Sequence, residues 1–261
     1  MMFTAEQCDK IVRETFVVEV EAHSELSSTN DRAIEKARSR SGKRPLLVIA
    51  RRQQAGRGRG THGWWSHDGA LTFSLLLDRE TFAGDTPCPP LIPLSMGVAV
   101  CDTILSVNPR LDVGLKWPND VFLSGRKVAG ILIERPSQPP GDVIVGIGLN
   151  VNNSIQIAPT EIVDIATSLC DETRSRHDIH AVLLGILRRI EAQLTLLKTD
   201  PDRVRQRWSD FCMLTGKRIT LTTGDRQLAG ICQGIAHDGS LVLQTPSGVA
   251  TCVAGVVQSI E

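Results

Sequence analysis

The chain has 261 residues, of which 41% are hydrophobic and 22% are charged, and its 29 Lys and Arg residues balance 29 Asp and Glu residues. This apolar fraction suffices for a packed core and excludes a disordered or fibrous protein. Because the formal net charge is zero, the chain as a whole has no attraction to phosphates, and we expect no binding to DNA or membranes. Any anion must be bound by a local cluster of positive side chains.

The cellular setting is predicted from the N-terminus, the apolar runs and the cysteines. Residues 1–16 carry charged side chains throughout and lack the apolar core of a secretory signal. The apolar runs at 46–50 and 73–77 are far shorter than the ~20 residues of a membrane span. The seven cysteines are odd in number and form no CxxC pair, which is typical of reduced thiols. We expect a cytoplasmic protein.

A strand and a capped helix are predicted near the start of the chain. Residues 16–20, FVVEV, have the β-branched composition of a strand, and the helical spacing that follows ends at Gly42. Three residues that commonly cap helix N-termini precede this helix: Ser28, Thr29 and Asn30. Residues 46–50, LLVIA, then predict a short buried strand.

The next segment, residues 51–70, is rich in glycine and arginine and has no apolar periodicity until a strand resumes at Leu71. Long loops inside compact domains are usually functional, and we expect this one to be mobile. Its three glycines at 58, 60 and 63 match G-x-G-x-x-G. A dinucleotide site is nevertheless not expected, because no strand directly precedes them and no helix follows.

The alternating glycines and arginines of this segment suit an anionic ligand. Arg57 and Arg59 would lie on the same side of an extended chain, where guanidinium groups bind phosphate in a bidentate way and glycines allow close approach. The pattern supports two interpretations equally: a site for a phosphate or acyl-phosphate ligand, and a solvated basic turn. An RNA-binding arginine–glycine stretch is a third interpretation.

The rest of the chain predicts a sheet, two helices and a small barrel. After a proline-rich turn at 87–93, helical spacing covers 94–106, and a continuous apolar stripe over 179–198 predicts a core helix. Asp200 and Pro201 are typical of the start of another helix, which would end near Cys212. Four strands are predicted between these helices, at 113–117, 121–123, 128–134 and 143–150.

Short strands separated by turn residues follow from Leu214 at roughly ten-residue spacing and predict a small β-barrel. We therefore expect two domains, 1–212 and 213–261.

Two further segments carry candidate binding residues. Lys116 ends an apolar strand before a turn at Pro118, a position that suits stabilisation of a changing negative charge but is equally open to a surface lysine. The glycines of 146–152, GIGLNVN, indicate either a bulge or a ligand lying against bare backbone. Asp120 and Glu134 have no recognisable partner in the sequence. No metal ligands can be assigned.

Five segments, in this order, resemble the motifs of biotin–protein ligases. They are SSTN at 27–30, QQAGRGRGTHGW at 53–64, KWPNDV at 116–121, GRKVAGILIE at 125–134 and VGIGLNVN at 145–152. Residues 214–245 also resemble the small barrel that ends those enzymes. The resemblance implies an α+β fold, with a biotin/lipoate ligase-like mixed sheet and flanking helices followed by an SH3-like β-barrel. It also implies the monofunctional type, because the first motif begins too early for a preceding helix-turn-helix domain.

The activity implied by the resemblance has two steps. Biotin would attack the α-phosphate of ATP with Mg²⁺ present, and the resulting biotinyl-5'-AMP would acylate a lysine of a biotin carboxyl carrier protein or carboxylase carrier domain. The chain would be a monomer or a homodimer. Two alternatives stay open: a lipoate–protein ligase, and a non-catalytic module that binds biotin or a nucleotide.

The resemblance also implies roles for individual residues. The implied catalytic residues are Lys116, Arg57 and Arg59. The implied biotin-binding residues are Ser28, Thr29, Asn30, Gln53, Gly56, Arg57, Gly58, Arg59, Lys116, Gly130, Gly146 and Gly148. The implied ATP-binding residues are Arg57, Arg59, Trp64, Lys116, Asn119 and Asn150.

One departure from the family pattern lies in the loop. Thr61 and His62 stand where the pattern has a glycine and a basic residue. Because histidine has an unperturbed pKa of about 6.5, this departure predicts a weaker or pH-dependent closure of the loop.

Overall fold

The computed structural model describes residues 3–78, 81, 91–137 and 141–261. The helices are α1 (Ala5–Glu14), α2 (Thr29–Arg38), α3 (Leu91–Val107), α4 (Thr160–Val163), α5 (Leu169–Thr173), α6 (Ile179–Thr199) and α7 (Pro201–Phe211), with a 3₁₀ turn at Ile155–Ile157. The strands are β1 (Glu19–Leu26), β2 (Leu46–Gln53), β3 (Ala70–Leu77), β4 (Val113–Lys116), β5 (Asp120–Leu123), β6 (Arg126–Glu134), β7 (Val143–Asn150), β8 (Arg218–Thr223), β9 (Arg226–Ile235), β10 (Leu241–Thr245), β11 (Gly248–Cys252) and β12 (Val256–Ile260). None of the helices described is long and apolar enough to cross a membrane.

The first seven strands form one mixed sheet in the order β1-β2-β3-β7-β6-β5-β4. Strands β1 and β2 run parallel, and the other neighbours are antiparallel. Successive side chains of a strand point to opposite faces. Leu47 and Ile49 of β2 therefore join the large core beneath α3 and α6, while Leu46 and Val48 pack with Ala33 of α2. Helices cover both faces of the sheet, as the resemblance implied.

The last five strands form an antiparallel sheet in the order β11-β10-β9-β8-β12. This small domain shares the main core, since Leu221 and Leu243 belong to the same buried cluster as Trp117. The indole Nε1 of Trp117 donates a hydrogen bond to the carbonyl of Gly239 at 3.1 Å. The two sheets are thus held together by a buried contact that begins in the 116–121 motif.

The predicted core elements are confirmed, with differences at their ends, such as the extension of β2 to Gln53. Strand β1 begins at Glu19 and continues through the polar residues to Leu26, because it is an edge strand paired on one side and tolerates polar side chains. Helix α2 ends at Arg38, before Gly42. Pro93 lies in the first turn of α3 and not in a turn before the helix. A proline in the first helical turn costs no helical hydrogen bond. The predicted turn residues 87–90 lie outside the described residues.

Candidate active site

A cavity of about 310 Å³ lies on the main sheet where that sheet meets the C-terminal domain. Its walls come from the start of α2, the loop between β2 and β3 (residues 54–69, here the glycine–arginine loop), the β4–β5 turn, β6 and β7, and residues 255–257. Segments far apart in sequence therefore meet at one concave site, the usual form of a small-molecule site.

One wall of the cavity is polar and hydrogen-bonded. The Oε1 atom of Gln53 accepts from the backbone N–H of Thr29 at 2.7 Å and lies 3.0 Å from its hydroxyl. The hydroxyl of Ser74 lies 2.8 Å from the Thr29 hydroxyl and 2.5 Å from Oδ1 of Asn30. Ser28 is the N-cap residue of α2, but its side chain makes no capping hydrogen bond. The predicted capping residues thus form a polar wall of the cavity, and the Ser28 side chain does not cap the N-terminus of α2.

Arg57 of the glycine–arginine loop lies between two carboxylates. Its Nη1 and Nη2 atoms donate to Glu134 at 2.9 and 2.7 Å, and Nη2 also lies 2.7 Å from Oδ1 of Asp31. Glu134 accepts a further hydrogen bond from the amide of Asn30 at 2.7 Å. Glu134 is therefore a partner of both the loop and the polar wall, although the sequence showed no partner for it.

Three cations surround a single carboxylate at another part of the cavity. Lys127 Nζ lies 2.6 Å from Oδ1 of Asp120, and Lys116 is the cross-strand neighbour of Asp120 in the β4–β5 hairpin. Lys116 Nζ also lies 5.9 Å from the centroid of the Phe122 ring. Arg59 donates to the carbonyl of Gly255 at 3.2 Å. No carboxylate of the described residues lies within ion-pair distance of Lys116 or Arg59, so both charges are available to an anion.

Burial sets the titration of these two cations. It lowers the pKa of Lys116, the nearby charge of Lys127 lowers it further, and Asp120 opposes both effects. Burial also lowers the pKa of Arg59, again opposed by Asp120. Desolvation disfavours a charged group that lacks a close counter-ion, so an anionic ligand entering here would relieve that cost.

The glycines of β7 make room for side chains that lie against the sheet. A Cβ atom on Gly146 would lie 2.2 Å from Oδ1 of Asn30, and one on Gly148 would lie 2.3 Å from the indole of Trp64. A Cβ on Gly130 would contact Lys127 and Trp64 at ordinary distances of 3.4 Å and more. The indole Nε1 of Trp64 is buried without a hydrogen-bond partner among the described atoms. Bare backbone at β7 is therefore required by the site.

The glycine–arginine loop folds back on itself through its own backbone. Trp64 N–H donates to the carbonyl of Gly56, and Gly58 N–H donates to the carbonyl of His62, both at 2.7 Å. His62 is one of the residues that line the cavity. Arg51, at the base of the loop, is paired with Asp68 and takes no part in the cavity.

Thirteen of the residues assigned by resemblance line this cavity. They are Ser28, Thr29, Asn30, Gln53, Arg57, Gly58, Arg59, Trp64, Lys116, Asn119, Gly130, Gly146 and Gly148. Gly56 does not line it and lies against Trp64 instead, since a Cβ atom on Gly56 would lie 2.5 Å from the carbonyl oxygen of Trp64. Asn150 does not line it either, since its buried amide donates to the carbonyl of Thr167 at 3.0 Å and accepts from Asn153 at 2.8 Å. The expectation that Asn150 faces a nucleotide has no support in this geometry.

Several lining residues were missed from the sequence. Lys127 lies within a motif quoted above and could have been chosen as a cation, but its pairing with Asp120 depends on the β5–β6 register. Residues 255–257 reach the cavity only through the docking of the C-terminal domain. No local sequence signal marks them.

Comparison with known proteins agrees with this architecture. The profile of the "Biotin/lipoate A/B protein ligase family" matches residues 23–152, and that of the "Biotin protein ligase C terminal domain" matches residues 214–260. The chain is 32% identical to the Bifunctional ligase/repressor BirA of Bacillus subtilis, covering 87% of this chain and 70% of the relative. It is also 32% identical to the Biotin--[acetyl-CoA-carboxylase] ligase of Paracoccus denitrificans, covering 85% and 92%.

A solved structure of an Aquifex aeolicus biotin protein ligase in complex with biotin and ATP is similar over 94% of this chain and 98% of that one, with a TM-score of 0.79 and 29% identity. The chain is an enzyme of the ligase class with the predicted α+β fold. It belongs to the biotin/lipoate A/B protein ligase family, among its biotin–protein ligases.

Proposed function

We propose that this protein activates biotin with ATP as biotinyl-5'-AMP and transfers the biotinyl group to a lysine of a carboxylase carrier domain. One observation carries the proposal: a neutral hydrogen-bonding wall shares one cavity with Lys116 and Arg59, two cations that have no carboxylate partner among the described residues. The first suits an uncharged ureido ring and the second suits an acyl phosphate. The complexes of the Aquifex enzyme with biotin and ATP and the name of the Paracoccus relative support it.

The polar wall would bind the ureido ring. Gln53 uses its carbonyl oxygen to hold Thr29, which leaves its amide N–H groups as donors for a ligand carbonyl. Ser28, Thr29 and Asn30 add hydroxyl and amide groups at the start of α2. Because the Gln53, Thr29 and Asn30 side chains are positioned by bonds to each other or to Ser74, little ordering is needed when the ligand binds.

The cationic residues would act on the reacting groups. A carboxylate oxygen of biotin forms a bond to the α-phosphorus, and the bond to pyrophosphate breaks. The two reactants are both anionic, so Lys116 and Arg59 would lower the cost of their approach and stabilise the charge shared in the transition state. In the second step a carrier amine attacks the acyl carbon, loses a proton, and AMP leaves.

We propose that Mg²⁺ enters as part of the ATP substrate. Within the described residues no group of three or more His, Cys, Asp or Glu side chains is placed to hold a metal ion. Magnesium at ATP sites commonly uses one or two carboxylates together with substrate phosphates and water, and Asp120 is a carboxylate in the cavity wall. The ion would neutralise phosphate charge when bound.

The division of the chain into domains, its partner and its location follow from the same function. We propose a catalytic domain at 1–212 and an SH3-like barrel at 213–261, supported by the profile match at 214–260 and the separate five-stranded sheet. We propose a biotin carboxyl carrier protein as the partner, and a cytoplasmic location, to which the free cysteines are suited. The choice between monomer and homodimer stays a prediction.

Pyrophosphate release tests the substrate assignment. The purified protein with ATP and Mg²⁺ should release pyrophosphate when biotin is added and not when lipoate is added. The reason is that the acyl chain of lipoate has no ureido ring for the polar wall to bind. Faster release with lipoate would indicate a lipoate ligase. Tight biotin binding without any pyrophosphate would indicate a non-catalytic binding module.

A further inference from the structure

The two arginines of the glycine–arginine loop have opposite surroundings. Arg59 has no carboxylate partner among the described residues and bonds the carbonyl of Gly255. Arg57 makes a bidentate pair with Glu134 and a second ion pair with Asp31. Bidentate pairing satisfies the guanidinium fork that a phosphate would need. The two residues are therefore not equivalent, although both follow a glycine in the same alternating sequence pattern.

The carboxylates around Arg57 outnumber it. Two acids, Glu134 and Asp31, share one cation, and the other polar partner of Glu134 is the neutral amide of Asn30. A phosphate approaching Arg57 would have to displace a carboxylate and would face the negative charge that remains. Like charges in proximity are unfavourable, so this group repels the phosphate end of a ligand.

The ion pairs of Arg57 with Glu134 and Asp31 join three segments that enclose the cavity. Asp31 lies in the first turn of α2, Glu134 ends β6, and Arg57 belongs to the loop. Arg57 also pairs through its backbone with Gly63, so fixing its side chain fixes the folded part of the loop. Asn30 connects Glu134 directly to the polar wall.

We propose that Arg57 is a positioning residue that holds the glycine–arginine loop over the bound adenylate through Glu134 and Asp31, without contacting the phosphate. The inference rests on the proposed function and assigns the retention of the intermediate to these three side chains. A loop held in this way excludes water from a reactive acyl-adenylate until the acceptor arrives.

The test measures the dissociation rate of preformed biotinyl-5'-AMP without carrier, in wild type, Asp31→Asn, Glu134→Gln and Arg57→Gln. We expect Asp31→Asn to speed release about 2- to 5-fold, the range of a partly exposed ion pair. Glu134→Gln should speed it about tenfold or more, because Glu134 accepts two hydrogen bonds from the Arg57 guanidinium and such bidentate charged pairs are stronger. Adding Asp31→Asn to Arg57→Gln should cause no further change. Glu35→Gln on the same helix, which pairs with Arg32, is the matched control and should release at the wild-type rate.

If Arg57 contacted the phosphate directly, the same variants would change the dissociation rate of biotinyl-5'-AMP in the opposite direction. Removing either competing carboxylate would then free Arg57 to bind the ligand, and release would slow. Slower or unchanged release in Asp31→Asn overturns the inference, and since this side chain is 44% exposed, the variant should fold; thermal unfolding checks this. If wild type forms no biotinyl-5'-AMP, the proposed function has failed, whereas normal formation without faster release refutes only the role of Arg57.

Discussion

Adenylation of biotin should slow at least about 100-fold when Lys116 is replaced by alanine. The reason is electrostatic, since removing one preorganised stabiliser of developing charge costs about 10²–10³ in rate. We expect no substitution by Lys127, because its ammonium is already paired with Asp120 at 2.6 Å. The measurement is the single-turnover rate of pyrophosphate release with saturating biotin and ATP.

Two further variants separate charge from packing at this position. Lys116→Met keeps the half-buried apolar stem and should be as slow as the alanine variant, with an unfolding midpoint near that of wild type. Lys43→Ala, which removes an exposed lysine, should keep the wild-type rate. A Lys116→Ala protein with near-normal adenylation would show that the charge stabilising the reaction comes from another residue.

The pH profile of adenylation gives an independent check on Lys116. Its pKa is lowered by burial and by Lys127, and the protonated form is the one that stabilises negative charge. The rate should therefore fall on the basic side at a lower pH than an exposed lysine would give. Asp120→Asn removes the carboxylate that opposes this shift and should move the fall to still lower pH.

Replacement of Trp117 by alanine should greatly lower the free energy of unfolding. The side chain is 1% exposed, and truncation of a buried tryptophan costs about 3–5 kcal/mol of the free energy of unfolding. The loss should also weaken the contact between the two sheets, because the indole bonds the carbonyl of Gly239 in the C-terminal domain. Chemical denaturation followed by circular dichroism measures this cost.

Trp117→Phe is the informative companion variant. It retains most of the packing but leaves the carbonyl of Gly239 without its donor, so we expect a cost of about 1–3 kcal/mol. Trp65→Ala, which removes a partly exposed ring stacked on His67, should cost less than Trp117→Ala. Equal costs for Trp65→Ala and Trp117→Ala would argue against a core role for Trp117.

The elements that carry a periodic pattern could be predicted from the sequence alone. The long helix α6, the Asp200-capped α7 and the buried strands β2, β3 and β7 all have local signals, and the structure places them as expected. The sequence predicts strand β1 too early, at 16–20, because most residues after Val20 in this strand are polar. An edge position permits such residues, and edge status depends on which strands pair.

The candidate site was predictable to the extent that its residues lie in contiguous motifs. The start of α2, the glycine–arginine loop and Lys116 were found in this way, and the structure brings them to one cavity. The partners of Arg57 were not found, because Glu134 lies 77 residues away and the pairing depends on the folded sheet. Asn150 shows the converse: a polar residue inside a motif whose side chain serves the protein's own backbone.

Transfer of labelled biotin to a purified carrier domain is the direct test of whether this protein biotinylates a carrier lysine. With ATP and Mg²⁺ present, we expect one covalently bound biotin per carrier domain, none on a carrier whose acceptor lysine is replaced by arginine, and none without ATP. Pyrophosphate release or biotin binding with no label on the intact carrier, or equal labelling of the lysine-to-arginine carrier, would contradict it.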